Sequence, residues 1–268
     1  MQIQHKILYY DIIVTRGGIM AKNKMNYLIL IIYATAMISI TLIQIIVISF
    51  FPSILENVDS YTLFSSITNL LLYVSLFILF FLIFKDYLKK QFINFKANKN
   101  HFFLLILIGF VVMMLASFGS SIILEFLGIT ETSANQESLN MLLEGTLFDK
   151  ISLFIFAVLL VPLIEELVFR KAILELFYIK VRETDNLKVI KVKKIISAIF
   201  AIIVSSLVFG FIHIMSFETE QLLQIIYYAG LGAVLGTAYL ASNKNILVPI
   251  LMHFSLNLMV TAIQLLGM

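Results

Sequence analysis

The sequence predicts an all-α fold, a polytopic bundle of about seven transmembrane helices, and three observations predict it. Of 268 residues, 61% are hydrophobic and only 13% charged, where a water-soluble domain carries about 45–50% apolar and about 25% charged. The apolar residues gather into seven runs, at about 27–52, 61–84, 102–128, 151–179, 195–217, 221–241 and 245–267. Each run reaches the about 20 residues a helix needs to cross the hydrocarbon core. No stretch of about ten residues alternates with period two, so a β-barrel is excluded. With no cysteine, disulfide frameworks, cysteine-based zinc sites and thiol nucleophiles are excluded too.

The first run is too long for the apolar core of a signal peptide and no small-residue cleavage site follows it, so it is read as a retained first helix. Met20 and Met25 are alternative starts. The second and third runs carry nothing diagnostic of chemistry. The fourth is the most polar, and the region 151–183 has room for a short or re-entrant helix that would raise the count to eight. The fifth and seventh each carry one histidine. The sixth carries the small-residue stripe Ala229, Gly232, Ala233 and Gly236, which suits close helix packing.

The loops set an orientation, because Lys and Arg accumulate on the cytoplasmic side. Residues 1–26 hold Lys6, Arg16, Lys22 and Lys24; 85–101 hold Lys85, Lys89, Lys90, Lys96 and Lys99; 180–194 hold Lys180, Arg182, Lys188, Lys191, Lys193 and Lys194; and Lys244 precedes the last run. These alternate loops contain 16 of the 19 basic residues. The intervening loops hold Glu56 and Asp59, then Glu131, Glu137, Glu144 and Asp149, then Glu218 and Glu220. The N-terminus is therefore expected in the cytoplasm. The basic clusters carry no interleaved aromatic platform and are read as topogenic, so nucleic acid is not an expected partner; the lipid bilayer is.

Few charges remain for the spans: Glu125 near the end of the third, and Glu165, Glu166, Arg170, Lys171 and Glu175 in the fourth. An ion at mid-membrane costs about 2.5–3.5 kcal/mol on insertion scales, so such groups face a bundle interior or water and suggest a functional site. Glu166 and Arg170 stand four apart with the acid first, a favourable same-face pair. Glu165 lies about 100° round the helix and is left without that partner. Lys171, Glu175 and Lys180 are expected to continue the helix as an amphipathic stretch towards the basic loop.

His5 and His101 lie in polar loops and are read as inert. His213 follows Phe209 by one helical turn, with Gly210 allowing close backbone approach, and His253 shares a helical face with Asn257. Pro162 precedes Glu165 by three residues and Pro249 precedes His253 by four. Each is expected to kink its helix and free the carbonyl four residues upstream, and broken helices at depth line enclosed or watered cavities. In a straight-helix reading His213 stands about 18 residues, about 27 Å, from the inner end of its span, while Glu165 and His253 are at middle depth. That leaves its membership of a shared site to be decided by structure.

A carboxylate, two imidazoles and a carboxamide can activate water in two ways. They suit a zinc ion with an open water position, or a metal-free route with carboxylate as base and His and Asn as oxyanion donors. Both lead to hydrolysis of a peptide bond in or beside the membrane, and zinc is the one cofactor candidate.

The set Glu165-Glu166-xxx-Arg170, Phe209-xxx-His213 and His253-xxx-Asn257, in this order on separate apolar helices, resembles the CPBP (Abi) intramembrane protease family of CAAX prenyl proteases and bacteriocin-processing or self-immunity proteins. The resemblance covers about residues 150–260. It implies that Glu165 is the general base, that Glu166 and Arg170 support it, that His213 helps to hold the water or metal, and that His253 with Asn257 stabilises the oxyanion. Together with the apolar runs and loop charges, it divides the chain into a cytoplasmic segment (1–26), three N-terminal transmembrane helices (27–128) and a protease core (129–268), and it implies a membrane-associated peptide or protein substrate. A residue usage rich in Ile, Lys and Asn suggests an AT-rich genome and a bacterial cell membrane. Two other classes fit the residues less fully. One is a non-catalytic immunity or peptide-binding accessory protein, and the other a proton-coupled transporter, which the absence of inverted repeats disfavours.

Overall fold

The structure, a computed structural model, describes residues 2–130, 132–178, 186–214 and 216–266, with side chains from residue 24 onward. Glu131, Lys180 and Arg182, and the side chains of Lys6, Arg16 and Lys22, lie outside the described residues. Among those described there is no strand. The main helices are α1 (Gln2–Phe50), α2 (Val58–Ala97), α3 (Lys99–Phe126), α4 (Ala134–Glu144), α5 (Leu147–Phe177), α6 (Leu187–Phe211), α7 (Ile225–Ala241) and α8 (Leu247–Leu265). Seven, all but α4, are long and apolar enough to cross a membrane, α7 when counted with the preceding turns from Thr219. The protein is a polytopic helical membrane bundle.

The seven predicted runs match these helices, but the ends differ. Helix α6 begins at Leu187, eight residues before its apolar run, because the lysine-bearing first turns continue the helix outside the apolar span. It ends at Phe211, so His213 stands in a turn beyond it rather than within a span. No re-entrant segment interrupts α5 among the described residues.

Helix α5 is the centre of the bundle. It packs against α1, α2, α6 and α8, and its Ile164, Leu167, Phe169 and Leu174 are fully buried. It is not uniformly α-helical: Phe154–Leu160 and Leu167–Leu174 are π-helical, with Val161–Glu166 in α register between them. Packing of α6 on α7 depends on missing side chains. A Cβ on Gly232 would come 3.1 Å from the Cα of Ser206, and one on Gly210 would come 3.1 Å from the carbonyl oxygen of Ile225. The small-residue stripe is thus a packing surface.

The two ends of the bundle differ in charge. At one, Asn245 Nδ2 donates to the carbonyl of Gln91 (3.0 Å), tying the α7–α8 turn to α2, and the Lys244 ammonium lies 4.2 Å over the Tyr178 ring. The basic connections 85–101 and 242–246 therefore share this end with the close of α5. At the other, Gln264 Nε2 donates to Asn140 Oδ1 (2.8 Å) and the Ala134 amide donates to Gln221 Oε1 (3.0 Å). There the acidic connections meet α4 and the end of α8.

Three expectations change. Lys171 and Glu175 are not an interfacial stretch. They are buried and paired at 2.7 Å, and Tyr239 Oη donates to the same carboxylate at 2.9 Å. Pro249 is the third residue of α8 and causes no mid-helix kink, since the first turn has no helical hydrogen bond to lose. Asp149, expected in a loop, is fully buried. It closes a capping box with Thr146 and accepts from Ser66 Oγ at 2.5 Å.

Candidate active site

The short α-register segment Val161–Glu166 presents adjacent carboxylates in different directions. Glu166 turns into the protein and is fully buried. Its Oε2 lies 2.9 Å from Arg170 Nε, and its Oε1 lies 3.0 Å from His253 Nδ1. The i, i+4 spacing supplies the first partner, while the second comes from α8, 87 residues away in sequence. Arg170 is also fully buried. Its Nη1 donates to Ser205 Oγ (3.3 Å), Ser205 in turn donates to the carbonyl of Phe169 (2.7 Å), and the guanidinium sits 5.0 Å over the Phe209 ring. Both halves of this ion pair are thus held by more than each other, as a pair away from water requires.

Glu165 turns the other way. It lines a cavity of about 320 Å³, and its Oε2 is buried with no hydrogen-bond partner among the described residues. His213, His253 and Asn257 line the same cavity. The turn after α6 folds His213 back over its own helix, where Nδ1 lies 2.7 Å from the Phe209 carbonyl oxygen. A carbonyl only accepts, so Nδ1 carries the proton, and in the neutral ring Nε2 is an acceptor. The imidazole is sandwiched between Phe209 and Tyr228, with ring centroids 4.6 and 4.4 Å away. His253 packs edge-on to the same Phe209 at 6.0 Å. The two histidines therefore flank one phenyl ring and face one cavity, which removes the difficulty of depth.

All six residues singled out in the sequence, Glu165, Glu166, Arg170, His213, His253 and Asn257, are brought together. Several other residues of the site carry no motif that marks them. Tyr33 and Met37 from α1, Asn69 and Tyr73 from α2, and Met113 from α3 complete the cavity wall, so the three N-terminal helices take part in it. Asn135 and Gln136 from α4 and Gln264 from α8 line its far end. Tyr228 is fixed by Ser133 (2.7 Å) and Asn135 (3.2 Å). A polar residue at the start of an apolar run was the available signal for Tyr228, but interfacial tyrosines give the same signal.

Zinc was a candidate from the residue types. Among the described residues, however, no three His, Asp or Glu side chains come together as a group able to hold an ion. The Nδ1 of His253 is engaged by Glu166 and that of His213 by a carbonyl, contacts that leave Nε2 of each ring for a further partner.

Residues 147–259 match the family model described as Rce1-like, type II CAAX prenyl endopeptidase Rce1-like. The chain is similar to the membrane-embedded CAAX protease MroQ of Staphylococcus aureus (strain USA300), with 34% identity over 175 residues, 64% of this chain and 62% of that protein. The chain thus spans less than two thirds of the length of this curated relative. No solved structure gives a significant match. The matched residues 147–259 contain the paired glutamates, both cavity histidines and Asn257, and over this region the chain is similar to CAAX proteases.

Proposed function

We propose that the protein is an intramembrane endopeptidase of a bacterial cell membrane, hydrolysing a peptide bond of a membrane-associated peptide or protein with water activated by Glu165. The observation that carries this reading is the contrast between adjacent carboxylates: Glu166 has an ion-pair partner at each oxygen, whereas the buried Oε2 of Glu165, on the cavity wall, has neither an ion-pair nor a hydrogen-bond partner among the described residues. A buried polar group without a partner costs about 1–3 kcal/mol, and such a cost persists where the group is used.

In this scheme a water lies between Glu165 and Nε2 of His213, which accepts one of its hydrogens. Glu165 takes a proton as the water oxygen attacks the scissile carbonyl carbon. The oxyanion is met by Nε2–H of His253, whose Nδ1–H is held by Glu166. The C–N bond then breaks, and Glu165 returns its proton to the leaving amine. Glu166 and Arg170 position His253 and the helix, and touch no substrate. The cavity volume falls in the range of about 300–1,000 Å³ that encloses small ligands, enough for a few residues of an extended peptide.

Orientation bears on the substrate. Five partly exposed polar residues of the wall, Asn135, Gln136, Ser138, Thr261 and Gln264, lie at the end away from the basic connections. With the N-terminus cytoplasmic, by the positive-inside rule, that end faces outward, and the substrate presents its cleaved segment at the outer face. The absence of native cysteine makes this directly measurable. An impermeant maleimide should label Glu137→Cys in intact cells and Lys90→Cys only after permeabilisation; the reverse pattern would overturn the orientation.

Comparative peptide profiling of membranes holding wild type or Glu165→Ala tests the activity. At least one cleaved product should vanish with the carboxylate. An unchanged product spectrum with an unchanged phenotype would instead favour a non-catalytic peptide-binding or immunity protein.

A further inference from the structure

Pro162 does something the spacing alone does not show. The segment before it is wound in π register, with the Val161 amide bonded to the carbonyl of Phe156, five residues back. In that register the donor to the carbonyl of Ala157 is the N–H of residue 162, and proline has none. The donor an α-register would supply, the Val161 amide, is already given to Phe156. Ala157 is thus left with a carbonyl that its own helix does not satisfy, in a setting where lipid provides no water to do so.

Helix α8 supplies the donor. Asn257 Nδ2 donates to the Ala157 carbonyl oxygen at 2.8 Å. One turn earlier on the same face of α8, His253 reaches Glu166 at 3.0 Å. One helix therefore grips α5 on both sides of Pro162, and Glu165 lies between the two grips.

We propose that Asn257 is a positioning residue that takes the place of the N–H missing from Pro162. It holds the π-helical turn that leads into Val161–Glu166, and so sets the direction in which Glu165 meets the cavity. A residue wound in the wider register turns through less than the about 100° of an α-helical residue, so loss of that turn rotates Glu165 off its line. One Asn257 hydrogen is committed to Ala157 before any substrate arrives. The proposal rests on the proteolytic reading only where it concerns rate.

A double-mutant cycle on the full-length protein in detergent tests it, with wild type, Asn257→Leu, Pro162→Ala and the double variant. Thermal midpoint and the kcat and KM for a peptide found by profiling are measured for each. Asn257→Leu should lower the midpoint by several degrees and kcat by at least about tenfold, with KM within about twofold, since the loss is in alignment and not in substrate contact. Adding Pro162→Ala restores an N–H to the helix and should return most of both losses. Asn257→Ser, which keeps a short donor, should fall between wild type and Asn257→Leu and replaces the latter if it does not accumulate. If Pro162→Ala restores neither quantity, Asn257 acts at the substrate and the proposal is wrong. If the midpoint recovers and kcat does not, the turn does not set Glu165 and the positioning claim is overturned. Recovery of the midpoint in a protein that cleaves nothing even as wild type supports the helix repair and refutes the protease reading alone.

Discussion

Arg170→Met is expected to destabilise the protein by about 3–5 kcal/mol, the cost of leaving one member of a buried ion pair without its partner. Glu166 would keep His253 but lose the guanidinium 2.9 Å from its other oxygen, and with no exposed surface it has no water to take its place. The variant should accumulate poorly and melt far below wild type in detergent. The companion Glu166→Gln/Arg170→Met removes the stranded charge, keeps an acceptor for His253 and should recover most of the loss. A double variant no more stable than Arg170→Met would show that the guanidinium matters through Ser205 and Phe209 rather than through Glu166.

Glu165→Gln should have the opposite profile. The amide has the same shape, carries no charge and cannot accept the proton of an attacking water. The hydrolysis rate should fall by about 10²–10⁴, the usual contribution of a general base. The folded state should be retained or slightly stabilised, because a neutral group replaces an acid with an unpartnered oxygen. Rate and thermal midpoint of the same preparations separate the two variants: adjacent carboxylates, one needed to fold and one needed to react.

What could be read from the sequence was local. Glu166 and Arg170 are helical neighbours, and their pairing follows from i, i+4 geometry alone. The count of spans follows from lengths of apolar runs. The ends of the spans do not: the lysine-rich first turns of α6 are helical without being apolar, and the helix stops at Phe211, so His213 folds back in a turn that no apolar pattern marks. Contacts between helices were also beyond reach. No periodicity tells which face of α8 meets α5, so the bond from His253 to Glu166 could be suspected only as membership of a cluster. The π register was invisible for another reason: its side chains are as apolar as those of an α-helix. A proline expected to free the carbonyl four residues upstream therefore exposes the one five upstream. Asp149 went unnoticed because a capping carboxylate and a loop carboxylate look alike until Ser66 arrives from α2.

Phe209 has a consequence of its own. Its ring meets Phe169 at 5.1 Å, His213 at 4.6 Å, His253 at 6.0 Å and the guanidinium of Arg170 at 5.0 Å, so the lever arms of both imidazoles and of the buried cation share one flat fulcrum. A mutational scan scored by lost turnover would rank this hydrocarbon beside the acids and bases, although it can neither give nor take a proton. Sensitivity to substitution at this position measures how many moving parts bear on it.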